Sequence, residues 1–420
     1  MRKAFKYRIY LTKGQRHILD GQLEQCRWVY NQVLASRRDA HAAGAPLGLY
    51  DTTNLLPEWK AERPALKLVH SQILQNISQR VHLAFEALGR RVKTKAADVG
   101  YPRFKSFGRY DSMTFPQYGN GVRLDENKLV LSKVGAVHIV LHRPVEGTPK
   151  TVTLTRSRTG KWYAAFSCET EAHPLPPTGS VVGVDVGLAS FATLSNEQKI
   201  ENPRFYRRDE ADVKRVQKRK DAAKNAQDWL ENTKQKGILA RIHERIANRR
   251  ADFAHKHSRA LVNNHQVIVF EELAPMEMGR SRGMRKSILD VAWTQFISLT
   301  IGKAVEAGRT VILVDPRNTS KMCSQCGELV VKDLGERTHE CPHCGLVLDP
   351  DVNAAINILH REAKRYRPET VGWGGIPSKP PSFSPGSRHM VWYLASRNNH
   401  CLAVYHPWWQ GPVTGPLQSY

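Results

Sequence analysis

Four cysteines stand in two pairs, Cys323-x-x-Cys326 and Cys341-x-x-Cys344, with fourteen residues between the pairs. Four thiolates at this spacing can surround one tetrahedral Zn²⁺ and leave no position for substrate, so the predicted site is structural. The plain alternative is four small buried cysteines without a metal. His339 and His343 could replace a thiolate, but neither is needed. Directly after the second pair the chemistry changes. In LDPDVNAAINIL, Asp349 and Asp351 flank Pro350. Asp349 suits the N-cap of a helix and Pro350 its first position, and the positive helix end keeps Asp351 ionised.

Two further carboxylate positions interrupt or close apolar runs. Asp185 lies inside VVGVDVG, where a lone charge is costly to bury unless it is paired or binds a metal. Glu271 and Glu272 terminate VIVF. Each has a bland reading, because a strand-end Glu is more often solvated and an Asp-Pro-Asp helix start is usually a cap. Jointly they say more: two strands and a helix can bring three carboxylates to one point. Such a point holds two divalent cations that activate a water and stabilise the leaving oxygen in phosphodiester cleavage. Oxygen ligands with open positions favour Mg²⁺, or Mn²⁺ in its place.

The elements that must position these residues follow from the pattern. AFKYRIYL (4–11) alternates, placing Phe5, Tyr7, Ile9 and Leu11 on one face of a strand. From Lys13 to Lys95 the pattern is helical, with Ser71 as a candidate N-cap. Beyond YPRFKSF the period is two, which predicts hairpins with turns at Asp125–Asn127 and Thr159–Gly160. Pro-rich HPLPPTGS (173–180) marks a domain joint. After it, VVGVDVGLASFATLS reads as two strands around a glycine, and residues 204–259 as helical. HQVIVFEEL and RTVILVDP read as strands buried on both faces, so the second half is α/β. The last fifty residues hold seven prolines and no acidic residue, which predicts a loose tail.

Composition bounds the partner. The 420 residues carry 63 Lys+Arg against 39 Asp+Glu, a net charge of +24. That much self-repulsion predicts a polyanionic partner, nucleic acid before an anionic membrane surface. Residues 204–259 carry 17 Lys/Arg against 8 Asp/Glu and are a candidate for that contact. Tyr7, Tyr30 and Phe104 could stack on bases, with core packing the competing role. No stretch reaches the ~18 consecutive apolar residues of a spanning helix, and MRKAFKYRIYLT offers no apolar signal core. Cysteines paired for metal rather than disulfides fit a reducing, cytoplasmic setting. Cys26, Cys168 and Cys401 read as core or tail residues.

With these residues assembled, the chain resembles the TnpB family of RNA-guided nucleases encoded by insertion sequences and related to type V CRISPR effectors. VVGVDVG resembles the first RuvC motif, VIVFEEL the second and DPDVNAAINIL the third, while NTSKMCSQCG and CPHCG resemble the inserted zinc ribbon. The resemblance implies Asp185, Glu271 and Asp351 as catalytic Mg²⁺ ligands, with Asp349 left as a cap. It implies an α/β, RNase H-like (RuvC) nuclease domain at 179–320 and 346–368, with a zinc ribbon at 321–345. A β-barrel wedge domain at 1–12 and 96–175 precedes it, with a helical recognition domain inserted at 13–95. The loose tail is 369–420. The implied function is cleavage of double-stranded target DNA chosen by a guide RNA, next to a short target-adjacent motif. The implied assembly is a protein monomer in a ribonucleoprotein away from membranes. The alternative is a nuclease-silent RNA-guided DNA-binding protein.

Overall fold

The computed structural model describes residues 1–95, 99–273, 285–331 and 338–363, and structural statements below concern those residues. The chain divides into two units between Glu171 and Ala172, each with its own core.

In the first unit, β1 (Arg2–Tyr10) alternates as its sequence predicts: Phe5, Tyr7 and Ile9 are buried. The strand ends one residue before Leu11, because Thr12 caps the next helix. The Thr12 hydroxyl accepts from the Gln15 N–H and the Gln15 side chain accepts from the Thr12 N–H, a reciprocal capping box. Helices α1 (Lys13–Ala42), α2 (Leu49–Asn54), α3 (Leu56–Glu62) and α4 (Ser71–Lys93) follow. Ser71 opens α4 rather than capping it, and His70 holds the cap position with no side-chain bond to the helix's first amides.

Six short strands then complete a near-closed barrel around β1. They are β2 (Ser112–Phe115), β3 (Val122–Asp125), β4 (Lys128–Leu131), β5 (Gly135–Val140), β6 (Thr148–Arg156) and β7 (Trp162–Glu169). Their order is β2-β6-β7-β1-β5-β4-β3, every neighbouring pair antiparallel. One face of each strand supplies the core: Val137 and Ile139, Val152 and Leu154, Ala164 and Phe166 all bury with the β1 set. The expected hairpin turns fall at Glu126 and Gly160, both at positive φ. Tyr7 and Tyr30 are core residues, as are Cys26 and Cys168, whereas Phe104 is about half exposed.

The second unit is built on a mixed five-stranded sheet. Its strands are β8 (Val181–Asp185), β9 (Ser190–Leu194), β10 (Lys199–Glu201), β11 (Val267–Glu271) and β12 (Thr310–Val314), in the order β10-β9-β8-β11-β12. β8, β11 and β12 run parallel; β9 and β10 extend the sheet antiparallel. Helices α5 (Phe205–Asn225), α6 (Trp229–Asn264), α7 (Arg285–Val291) and α8 (Trp293–Ala307) lie in the connections. β11 is buried at every residue, as its apolar run predicts. β12 is not: only Val314 is fully buried, because β12 is the last strand of the sheet and lacks a neighbour on one side.

Strand alternation sorts the side chains onto two faces. Val182, Val184, Ile268 and Phe270 pack with Phe296 and Leu261 on one face. Val267, Val269 and Val314 pack with Ile358 on the other, beneath α9 (Pro350–Ala363). Gly183 lies on that second face, where a Cβ would come within 2.1 Å of the Ala355 carbonyl oxygen and 2.9 Å of Leu359. The glycine is therefore what lets α9 seat on β8. Gly183→Ala is expected to force the helix away, at about 1–3 kcal/mol for overpacking. It should lower the thermal midpoint and displace the helix that carries Asp351; an unchanged melt would show that α9 can shift freely.

Candidate active site and cysteine cluster

Asp185 ends β8 and Glu271 ends β11, its parallel neighbour. The register pairs Val267 with Val181 and runs to Phe270 opposite Val184, so the next step sets Glu271 beside Asp185. Both are an even number of residues from positions on the α9 face, Gly183 and Val269, and so share that face. On α9, Asp351, Ala355 and Leu359 follow at intervals of four and form one stripe. Gly183 meets that stripe at Ala355 and Leu359. Two residues further along β8, Asp185 comes under the helix one turn earlier, where Asp351 stands. The three sequence-predicted carboxylates are thus brought to one end of one sheet face.

Their electrostatics agree. Burial pushes the Asp185 carboxyl up to about 8, and the negative charges of Glu271 and Asp351 add to the rise. Glu271 is 8% exposed; burial raises it too, partly offset by the Thr319 hydroxyl and the Arg361 guanidinium. Glu272 is exposed, so the two members of the Glu pair differ in burial, and Glu271, the one the family resemblance singled out, is the buried one. A carboxyl pushed toward neutrality by burial and by two neighbouring carboxylates, as Asp185 is, fits a place for divalent cations, because a cation removes both penalties. Asp349 is different. Its Oδ1 accepts from the N–H groups of Asp351 (2.9 Å) and Val352 (3.3 Å), and its Oδ2 pairs with Lys199 at 2.6 Å. Burial pushes its carboxyl up, but Lys199 and the two amides outweigh that and hold it below its ordinary value. It is a helix cap.

A pH dependence follows for the Mg²⁺-free protein. Between its ordinary value of 3.8 and about 8, Asp185 keeps its proton in the native state and loses it when unfolded. The native state then binds more protons, so stability falls as pH rises through that window and levels off above it. A divalent cation held by these carboxylates would have to displace that proton, so any melting-temperature gain on adding Mg²⁺ should be larger above about pH 8 than near pH 6; equal gains would mean that no such competition exists at Asp185.

The four cysteines form a second, separate group. Their sulfurs lie within 4.8 Å of one another, with Cys323–Cys344 and Cys326–Cys341 both at 3.6 Å. Tetrahedral Zn²⁺ with Zn–S bonds of ~2.3 Å needs sulfurs roughly 3.8 Å apart, so the cluster fits a structural zinc. Each knuckle closes the same way: the Gly327 N–H donates to the Cys323 carbonyl and the Gly345 N–H to the Cys341 carbonyl, both glycines at positive φ. Neither histidine is part of the group. The three carboxylates are not gathered as tightly: among the described residues the cysteines alone form such a close group of three or more ligating side chains.

Comparison with known proteins decides the lineage. The chain is 35% identical over 369 residues to a candidate RNA-guided DNA endonuclease of Streptomyces pristinaespiralis, covering 86% of this chain and 89% of that protein. It is 32% identical to a second such protein, InsQ of Escherichia coli K12, covering 85% and 91%. Residues 165–282 match the OrfB_IS605 family, described as a probable transposase, and residues 293–358 a Cas12f1-like TNB domain. The chain belongs to the TnpB/OrfB_IS605 family. Family membership also covers residues 1–45 under the description of a helix-turn-helix domain, yet here that segment is one strand and one 30-residue helix. Among solved structures, a mini-RNA-guided endonuclease described as CRISPR-Cas_phi3 aligns over 86% of this chain at 9% identity and a TM-score of 0.46.

Sequence reasoning passed over four residues that the structure places around the site: Thr319, Asn353, Asn357 and Arg361. Thr319 donates to Glu271, and Arg361 donates to the carbonyls of Asp315 and Arg317 in the loop after β12. The signal was available in part, because two asparagines four apart inside an apolar helical run are unusual in a buried stripe.

Proposed function

We propose that the chain is an RNA-guided DNA endonuclease that cleaves double-stranded DNA beside a short target-adjacent motif, with Asp185, Glu271 and Asp351 holding Mg²⁺ or Mn²⁺. The observation that carries this reading is the gathering of those three carboxylates at one end of a sheet, in a chain whose relatives are described as candidate RNA-guided DNA endonucleases. Counted from β8, the strand order is 3-2-1-4-5 with only the second strand antiparallel to the rest, which supports an RNase H-like fold of the RuvC kind.

Bound at the carboxylates, Mg²⁺ would activate a water and stabilise the leaving oxygen of the phosphodiester. The protein's own part is to fix where negative charge can stand. Asp185 and Glu271 are held by adjacent strands, Asp351 by the first turn of a helix seated on Gly183, and Asp349 is kept out of the ligand set by Lys199. Target sequence is then read by guide pairing, with the protein making backbone contacts. The hairpin of α5 and α6 closes on Val213, Val216, Ile242 and Ile246, leaving Lys218, Arg219, Lys224, Lys236, Arg241 and Arg245 exposed. That one-signed surface suits the RNA scaffold or the heteroduplex, and binding should weaken steeply with salt, by a slope of about 0.9 per phosphate neutralised on a duplex.

The test is to purify the protein expressed with its downstream locus and sequence the RNA it retains. Double-stranded targets matching the guide end, with randomised flanks, are then incubated with Mg²⁺. Cuts that require guide match and a flank motif are expected. Bound RNA with target binding but no cutting would favour the nuclease-silent binder, and absence of bound RNA would overturn both readings.

A further inference from the structure

Between the cysteine cluster and the carboxylates runs a continuous chain of buried hydrogen bonds. Asn353 and Asn357, on α9, are at most 1% exposed. Asn353 accepts from the Ser324 N–H (2.8 Å) and donates to the Met322 carbonyl (2.8 Å), clasping the two residues on either side of Cys323. Asn357 donates to the same Met322 carbonyl (2.6 Å) and to the Thr319 carbonyl (2.9 Å). Thr319, 1% exposed, turns its hydroxyl to Glu271, with the Pro316 carbonyl 3.0 Å away. Asn357 uses both of its amide donors within the network and Asn353 one, and Met322 spends both carbonyl lone pairs there.

We propose that Thr319, Asn353 and Asn357 are positioning residues that make the cysteine knuckle part of the carboxylate site, so that closure of the four-thiolate cluster sets where Glu271 and Asp351 stand. The inference rests on the reading of those carboxylates as metal ligands, and goes beyond it by giving the cysteine cluster a role at the cut. The geometry explains the order of the sequence. The first knuckle begins four residues after Thr319, the second ends five before Asp349, and both flanks are tied to one helix face. A cluster that merely stabilised its own fold would need no clasp around Cys323, and Glu271 would need no hydroxyl carried by the turn that leads into the knuckle. Buried networks of this kind act as a unit, because each unpaired member would carry its own desolvation cost.

The test compares Thr319→Val, which keeps shape and removes the hydroxyl, with Thr319→Ser, which restores it, in the full ribonucleoprotein. Thr319→Val is expected to slow single-turnover cleavage of bound target about 10- to 100-fold. Target affinity and zinc content should be unchanged, and Thr319→Ser should recover most of the rate. Titration of Mn²⁺ into the free protein, followed by electron paramagnetic resonance, supplies a readout independent of cutting, with affinity falling by a similar factor. Removing zinc from wild type should weaken Mn²⁺ binding likewise, and removing it from Thr319→Val should add little, because both act through one network. Equal Mn²⁺ affinity in Thr319→Val and wild type, a Thr319→Ser defect as deep as the valine one, or fully additive losses would each overturn the proposal. A wild type that binds Mn²⁺ as expected but does not cut would count against the proposed function alone.

Discussion

Asp185→Ala is expected to abolish the proposed cleavage and to leave target binding intact. The size of the loss follows from the site: holding divalent cations against developing phosphate charge supplies several kcal/mol. At 1.36 kcal/mol per tenfold, that is a fall on the order of 10³-fold or more. Binding should survive because, in the proposed function, guide pairing and backbone contacts, not this carboxylate, hold the target. The fold should survive as well. In the metal-free protein Asp185 is a destabilising group, crowded by two other carboxylates and pushed up to about 8, so near neutral pH it must take up a proton on folding and removing it lifts that cost. A modest rise in the Mg²⁺-free melting temperature should therefore accompany the loss of activity. A mutant that neither cuts nor binds, and melts early, would show Asp185 to be structural.

The second large effect is at the cysteine cluster. Cys323→Ala removes one of four thiolates from a site that is nearly closed to solvent at that residue. Structural Zn²⁺ contributes roughly 10–16 kcal/mol to the folding of small zinc modules, far more than the contacts this short ribbon makes for itself. Its two strands, β13 (His339–Glu340) and β14 (Val347–Leu348), are two residues each, and its apolar cluster is the cysteines with Val330 and Leu346. Elemental analysis should show about one Zn²⁺ per chain in wild type, since four thiolates complete one tetrahedral site, and essentially none in the mutant. Protease sensitivity should appear within 321–348. The two sheets, with cores of their own, should keep their circular dichroism. Retained zinc with full protease resistance would mean that three thiolates suffice.

Much of this was legible from local chemistry. Paired C-x-x-C spacing reports a tetrahedral site because ligand geometry is set within a few bonds of each knuckle. Period-two runs placed Phe5, Tyr7 and Ile9 inside, because alternation is a property of the strand itself. The cap at Asp349 was readable from Asp-Pro-Asp for the same reason. Misreadings arose where the outcome depends on a neighbour. RTVILVDP is as apolar as a central strand, but β12 has a partner on one side only. Ser71 has the right type for an N-cap, but the chain enters α4 one residue earlier.

By itself, the sequence determined the residue types: three carboxylates at element ends, four thiolates in two knuckles, a charge that demands a polyanion and motifs that resemble one family. Only the tertiary structure decided which glutamate of the Glu271–Glu272 pair is buried, that Gly183 is open space for α9, and that Thr319, Asn353 and Asn357 join the two sites. The physical reason is that residue type and short-range spacing act through the chain. Burial, shared faces and hydrogen bonds between a strand end, a knuckle and a helix instead arise where segments far apart in sequence pack together.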